Sequence, residues 1–226
     1  MRYSYSRISK YNQCPQAFYR QYILNEVEYT SSPEAAYGSE MHQFIDEYMR
    51  GSAKITPRTE FLRPLLTKLE SFSGGIKTEY GLGFREDRTQ TTFEDKQAFV
   101  IGKSDCTIFH PTQPRIKIYD WKFSGKTDPT AYRVEMDMFV WLHKMAHPEI
   151  ETIETGLVWL KTPAPTSIKI YGKDEFVEAE SAILRNIEKI EDSICFERFP
   201  CKPSGLCYGW CSCVQCPQWR PKKEKK

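Results

Sequence analysis

The sequence predicts an α/β fold, and three observations carry that expectation. Residues before Gly74-Gly75 read mainly as helices, and those after it turn to strands rich in β-branched and aromatic residues. A helical stretch then separates these from two further strand patterns, and a long amphipathic helix follows them. The 226 residues can bury a full core, and 40% hydrophobic with 14% aromatic residues is ordinary globular composition.

Each element has its own signal. Helices are expected at 4–13 and 15–24, with Cys14-Pro15 at the junction because proline starts a helix but does not continue one. Ser32-Pro33 opens a helix to about residue 50, with Ala36, His42, Phe44, Ile45 and Tyr48 at three- and four-residue steps. Another helix is expected at 57–71. Strands are expected at 77–84, 97–109 and 115–123, each bounded by turn formers. Asp128-Pro129 opens a helix to about residue 145, strands follow at 153–161 and 167–171, and the long helix covers 174–195. The stretch 199–219 is cysteine-rich and irregular. The expected organisation is one domain over 1–219, with N-terminal helices 1–73, sheet core 74–172, long helix 173–196 and Cys-rich closure 199–219. The basic tail at 220–226 is expected to be disordered.

Charge narrows little. Lys+Arg 32 against Asp+Glu 30 gives a formal net charge of +2, so attraction to nucleic acid must come from local clustering. No apolar run reaches the roughly 20 residues of a membrane span, and the start lacks a signal-peptide core. A cytoplasmic protein is expected, in which eight cysteines stay reduced and serve as ligands or buried thiols.

The chemistry gathers around 102–123. Two strand patterns flank Pro111-Thr112-Gln113-Pro114, a loop of common hairpin length. Pairing His110 with Arg115 puts Asp105 opposite Asp120 and Lys103 opposite Lys122, on one face. Adjacent carboxylates repel unless a cation lies between them, and hard ions such as Mg²⁺ or Mn²⁺ prefer carboxylate oxygens. Lys122 then orients a water or offsets charge on a phosphate. The alternative is that Asp120 and Lys122 merely end a strand at solvent. Lys103, Lys126 and Arg133 lie close enough in sequence to touch a phosphate backbone. Tyr3, Tyr5, Tyr11, Phe18, Tyr19 and Tyr22 interleave with Arg2, Arg7, Lys10 and Arg20, which suits either base stacking or a core.

Gly102-x-x-Asp105 followed by Asp120-Trp121-Lys122 resembles motifs II and III of the PD-(D/E)XK nuclease superfamily, nearest to its RecB-like branch. Gly38-Ser39-Glu40-Met41-His42 resembles the G-x-x-x-H element of that branch. The resemblance implies a restriction-endonuclease-like core, a central mixed β-sheet flanked by helices. It also implies catalytic Asp105, Asp120 and Lys122, a metal held by His42, Asp105 and Asp120, and a supporting part for Glu79. Family members carry Q-x-x-x-Y on the next helix, where this sequence has Glu135 and Phe139. Glu135 cannot donate as Gln does, which leaves it a supporting part at most.

Cys14 and Cys207-x3-Cys211-x4-Cys216 offer four thiolates with irregular spacing, which suits a 4Fe-4S cluster; structural zinc is the alternative, and Cys213-x2-Cys216 is the one knuckle-like pair. The arrangement resembles the iron-sulfur nucleases of the RecB-like branch, CRISPR-associated and bacteriophage-encoded members included. That resemblance implies Cys14, Cys207, Cys211 and Cys216 as ligands and a C-terminal iron-sulfur appendage. Cys213 is then an extra thiol, and Cys106, Cys195 and Cys201 are bystanders, Cys201 being near enough to substitute.

The expected function is a Mg²⁺- or Mn²⁺-dependent deoxyribonuclease, an exonuclease on single-stranded DNA or duplex ends in recombination, replication or repair. No G-x-x-x-x-G-K-[ST] motif is present, so unwinding needs a helicase or recombination partner. A phage-encoded chain would work in the host cytoplasm. The alternative is a catalytically silent DNA-binding module that keeps the fold.

Overall fold

The computed structural model describes residues 1–27, 32–123, 128–160 and 167–221. In chain order these form α1 (Tyr5–Gln13), α2 (Pro15–Phe18, continued by a π turn at Tyr19–Ile23), α3 (Pro33–Met49) and α4 (Arg63–Glu70). Then come β1 (Ile76–Phe84), β2 (Gln90–Thr91), β3 (Val100–Phe109), β4 (Arg115–Lys122) and α5 (Arg133–Ala146). The last elements are β5 (Thr152–Trp159), β6 (Ser167–Tyr171) and α6 (Lys173–Cys195). Ser4 caps α1 through the Arg7 N–H, and Ser32 caps α3 through the Ala35 N–H, with Pro33 in the first turn.

The chain divides into two compact units, Met1–Arg2 with Ser31–Ala182, and Tyr3–Thr30 with Ile183–Lys226. The first holds a six-stranded sheet in the order β2-β1-β3-β4-β5-β6. All neighbours are antiparallel except β4 and β5, which run parallel with α5 as the crossover that a parallel pair needs. The fold is therefore the expected mixed sheet flanked by helices. Its strands alternate as the sequence reading requires. Ile116 and Ile118 pack with Met136, Phe139 and Val140 of α5, whereas Trp121 and Ile108 pack with Met41 and Ile45 of α3 and Leu66 of α4.

The hairpin between β3 and β4 has the expected register. The His110 N–H donates to the Arg115 carbonyl, and pairs run from Phe109↔Ile116 to Cys106↔Tyr119. The ladder stops there, one pair short of Asp105 and Asp120. On the other side of β3 the pairing passes from Thr78↔Cys106 to Tyr80↔Ser104, omitting Glu79, whose φ of 48° lies in the left-handed region. The three central strands thus open at one level, and the acidic residues lie at that opening.

Gly102 sits where α5 crosses β3. A Cβ there would lie 2.4 Å from Leu142 Cδ1, so the glycine of the G-x-x-D pattern is what lets the helix approach. Two departures from the sequence reading are local. The helix expected at 57–71 begins as a 3-10 turn, Glu60–Leu62, before α4, and Asp128 caps a 3-10 turn, Pro129–Tyr132, before α5. The two-residue β2 is too short to show a period.

In the second unit the Tyr11 hydroxyl donates to the Lys189 carbonyl at 2.9 Å and lies 2.6 Å from Ser193 Oγ. Phe18 is fully buried beside Tyr11 and Tyr22, and Tyr19 stacks on Phe199 at 4.4 Å. These interleaved aromatics are therefore core and scaffold. Lys126 and residues 222–226 of the basic tail lie outside the described residues. Among the described residues no helix is long and apolar enough to cross a membrane.

Candidate active site

α3 lies across β1 and β3 and delivers His42 to the opening in the sheet. Its placement is fixed one turn further on, where the Thr78 hydroxyl donates to Asp46 Oδ1 at 2.5 Å. His42 Nδ1 is 3.1 Å from Asp105 Oδ1 and 3.8 Å from Glu79 Oε1, and its ring leans on Phe123. The other Asp105 oxygen accepts the Trp121 backbone N–H at 2.6 Å. That bond takes the place of a ladder bond between β3 and β4, so the carboxylate that opens the ladder also ties its two strands together.

Asp120 and Lys122 come from the end of β4. Asp120 is 4% exposed, and Lys122 Nζ lies 2.5 Å from its Oδ2. The contact is a close ion pair, and the Lys122 ammonium is what offsets the burial of that oxygen. Lys122 also donates to Glu135 Oε2 at 2.9 Å, from the first turn of α5, and lies 4.3 Å from the centre of the Tyr132 ring. Tyr132 escaped the sequence reading, since a tyrosine in the turn before a helix carries no signal of its own.

The electrostatics follow from burial and crowding. Burial raises the Asp120 pKa well above the usual carboxylate value, and the charges of Asp105 and Glu135 push the same way. Burial also raises Glu135, with Lys122 opposing it. Burial works to lower Lys122 and His42, but carboxylates outweigh it at both. Asp120 and Glu135 raise the lysine; Asp105 and then Glu79 raise the histidine. Cations are favoured here and carboxylate charge is in excess.

His42, Glu79 and Asp105 place one ligand atom each within 4.8 Å of one another, the single such group among the described residues. Two carboxylates and an imidazole so gathered fit a hard divalent cation. The sequence reading gave Asp120 to the metal and Glu79 to support. The structure puts Glu79 in the converging group and turns Asp120 toward Lys122. The Lys103 ammonium pairs with Glu79, and the β3–β4 ladder that would set Lys103 opposite Lys122 ends at Cys106↔Tyr119. Arg133 is largely exposed, 3.6 Å from Asp137. Phe139 is buried in the core beneath the sheet. Cys106 is buried on β3 with its thiol pushed up to about 12 by that burial, which makes it inert.

Carboxylates, an imidazole and a lysine at the parting of the central strands of a mixed sheet define a restriction-endonuclease-like nuclease fold. The chain belongs to the PD-(D/E)XK nuclease superfamily, whose family model matches residues 2–218. The fold is similar to a crystal structure from Eubacterium rectale named as a candidate exonuclease. That match has 14% identity and a TM-score of 0.56, covering 99% of this chain and 90% of that one. It is also similar to the crystal structure of SSO0001, with 13% identity and a TM-score of 0.50, over 96% of this chain and 85% of that one. No curated protein matches the chain.

Proposed function

We propose that the chain is a Mg²⁺- or Mn²⁺-dependent deoxyribonuclease of the RecB-like branch, an exonuclease on single-stranded DNA or duplex ends. Its work is recombination, replication or repair in the cytoplasm, the host's if the chain is phage-encoded, with a helicase or recombination partner to unwind duplex. The observation that carries the reading is the convergence of His42, Glu79 and Asp105 beside Asp120 and Lys122.

Asp105, His42 and Asp120 would hold the cation, with Glu79 as a further carboxylate. When bound, a cation of this kind lowers the pKa of a water and offsets charge building on the phosphate. Lys122 supplies a fixed positive charge for the attacked phosphate. Glu135 and Asp120 hold its ammonium at the site, and its largely buried position strengthens its field. Trp121 and Phe123 close the floor of the site from the α3 side. Arg133 and Lys103 flank it as candidates for phosphate contacts. The hold of Glu135 on Lys122 favours an active enzyme over a silent binding module, because the change from the family's Gln leaves the lysine positioned.

The cysteine-rich segment we read as the seat of an iron-sulfur cluster. Its support is that Cys14 and the five cysteines from Cys201 to Cys216 line one cavity, which offers the four thiolates such a cluster takes, with structural zinc as the alternative.

The test is degradation of end-labelled single-stranded and duplex DNA by anaerobically purified protein with Mn²⁺, with chelator and Lys122→Ala as controls. Metal-dependent release of nucleotides, reduced about 10²- to 10³-fold in Lys122→Ala, is expected. Equal degradation by the variant would overturn the reading.

A further inference from the structure

The segment after Phe199 has almost no core of its own. Its regular structure is one 3-10 turn, Gly205–Cys207, and Leu206, Tyr208, Trp210 and Val214 are all exposed. A chain that buries so little keeps one conformation only when something else holds it. Within the second unit, Cys14 and the five cysteines from Cys201 to Cys216 line a single cavity of about 120 Å³.

Cys201 Sγ lies 3.7 Å from Cys216 Sγ. The residue after Cys201 completes the link, because the Lys202 backbone N–H donates to Cys14 Sγ at 3.4 Å, and the Lys202 ammonium donates to the Asn12 carbonyl at 2.8 Å. An N–H aimed at a ligand sulfur is the kind of outer contact that tunes a thiolate site. Spacing along the chain leaves Cys201 aside, whereas the fold brings it beside the Cys216 sulfur and its neighbour's N–H onto the Cys14 sulfur.

We propose that Cys201 is a ligand of the metal group in this cavity, together with Cys14 and Cys216. The inference rests on the reading that the cavity holds a cysteine-bound metal group. The first part of the test needs no variant. Cys201 and Cys195 are both exposed thiols, so Cys195 serves as the uncovered reference and Cys201 is compared with itself before and after metal removal.

Metal-loaded protein, purified anaerobically, is treated with iodoacetamide before and after chelation, and each cysteine is read by mass spectrometry beside iron, acid-labile sulfide and zinc analysis. Expected is labelling of Cys195 in both samples and at least a tenfold lower rate at Cys201 until the metal is removed. In the second part, Cys201→Ser loses most of its metal while Cys195→Ser keeps it. Loaded protein that labels at Cys201 as fast as demetallated protein does, or a Cys201→Ser variant that keeps its metal, overturns this assignment alone. Fresh protein with neither iron nor zinc overturns the assignment and the cofactor reading together.

Discussion

Lys122 shows how a single charge is kept in place. Burial disfavours its ammonium, yet two carboxylates hold it charged and aimed, one from its own strand and one from α5. Glu135 is thus a positioning residue, and its effect should fall on turnover. Glu135→Ala should lower kcat about 10- to 100-fold with KM little changed, because a displaced charge costs at the transition state more than in substrate binding. Glu135→Gln, whose amide oxygen can still accept from Lys122, should recover most of that loss. Equal loss in both variants, or a loss confined to KM, would count against positioning. The sequence pattern made Asp105, Asp120 and Lys122 legible, since hairpin loop length fixes which residues approach. It undervalued Glu79 and Glu135, whose places depend on a left-handed φ on β1 and on the packing of a helix, and neither leaves a trace in spacing.

At the scale of elements, α5 is what holds the sheet's centre in place, and it does so through a glycine and a buried histidine. Gly102→Ala would push a Cβ into the fully buried Leu142, and a loss of about 1–3 kcal/mol is expected in denaturant unfolding. An unchanged midpoint would mean that the helix shifts without cost. His143 makes a pH-dependent contribution. Its Nδ1 lies 2.7 Å from the Phe139 carbonyl, so this nitrogen carries the proton, and Nε2 accepts from the Thr107 hydroxyl at 2.8 Å. Burial lowers its pKa to about 4, with the carbonyl bond working the other way. The folded state therefore holds the ring neutral, while the unfolded chain takes up a proton below about 6.5. This stabilisation is complete above that pH and disappears as pH falls toward 4, a change of about 3 kcal/mol. His143→Gln, which can bond to the same two groups without titrating, should flatten the stability profile between those limits. A variant whose stability falls as steeply as the wild type's would show that other groups govern that window. The histidine was invisible in the sequence, because a helix-borne imidazole reads the same whether it meets a strand threonine or solvent.

At the scale of the whole molecule, the two units are held by different means. The first rests on a sheet with apolar helices on both faces. The second buries Tyr3, Ile8, Ala17, Phe18 and three isoleucines of α6, and from residue 199 onward Cys213 alone among the described hydrophobic side chains is buried. The amphipathic period announced α6 and the cysteine density announced a bound group, but which thiols face one another depends on turns with no period at all. If a cysteine-bound metal supplies the missing cohesion, its free energy of binding is folding free energy for that segment. Removing it should therefore act locally. In hydrogen-deuterium exchange, α1, α2 and residues 199–219 should exchange at least about tenfold faster in demetallated protein, a loss of about 1.4 kcal/mol, while β3 and β4 stay within about twofold. The control is the same pair of samples with Mn²⁺, which should protect α3, β1 and β3 through His42, Glu79 and Asp105 whether or not the cysteines are loaded. Uniform loss of protection across the sheet would mean that one cooperative unit spans the chain, and unchanged exchange at α1 and α2 would mean that the thiols hold nothing the fold needs.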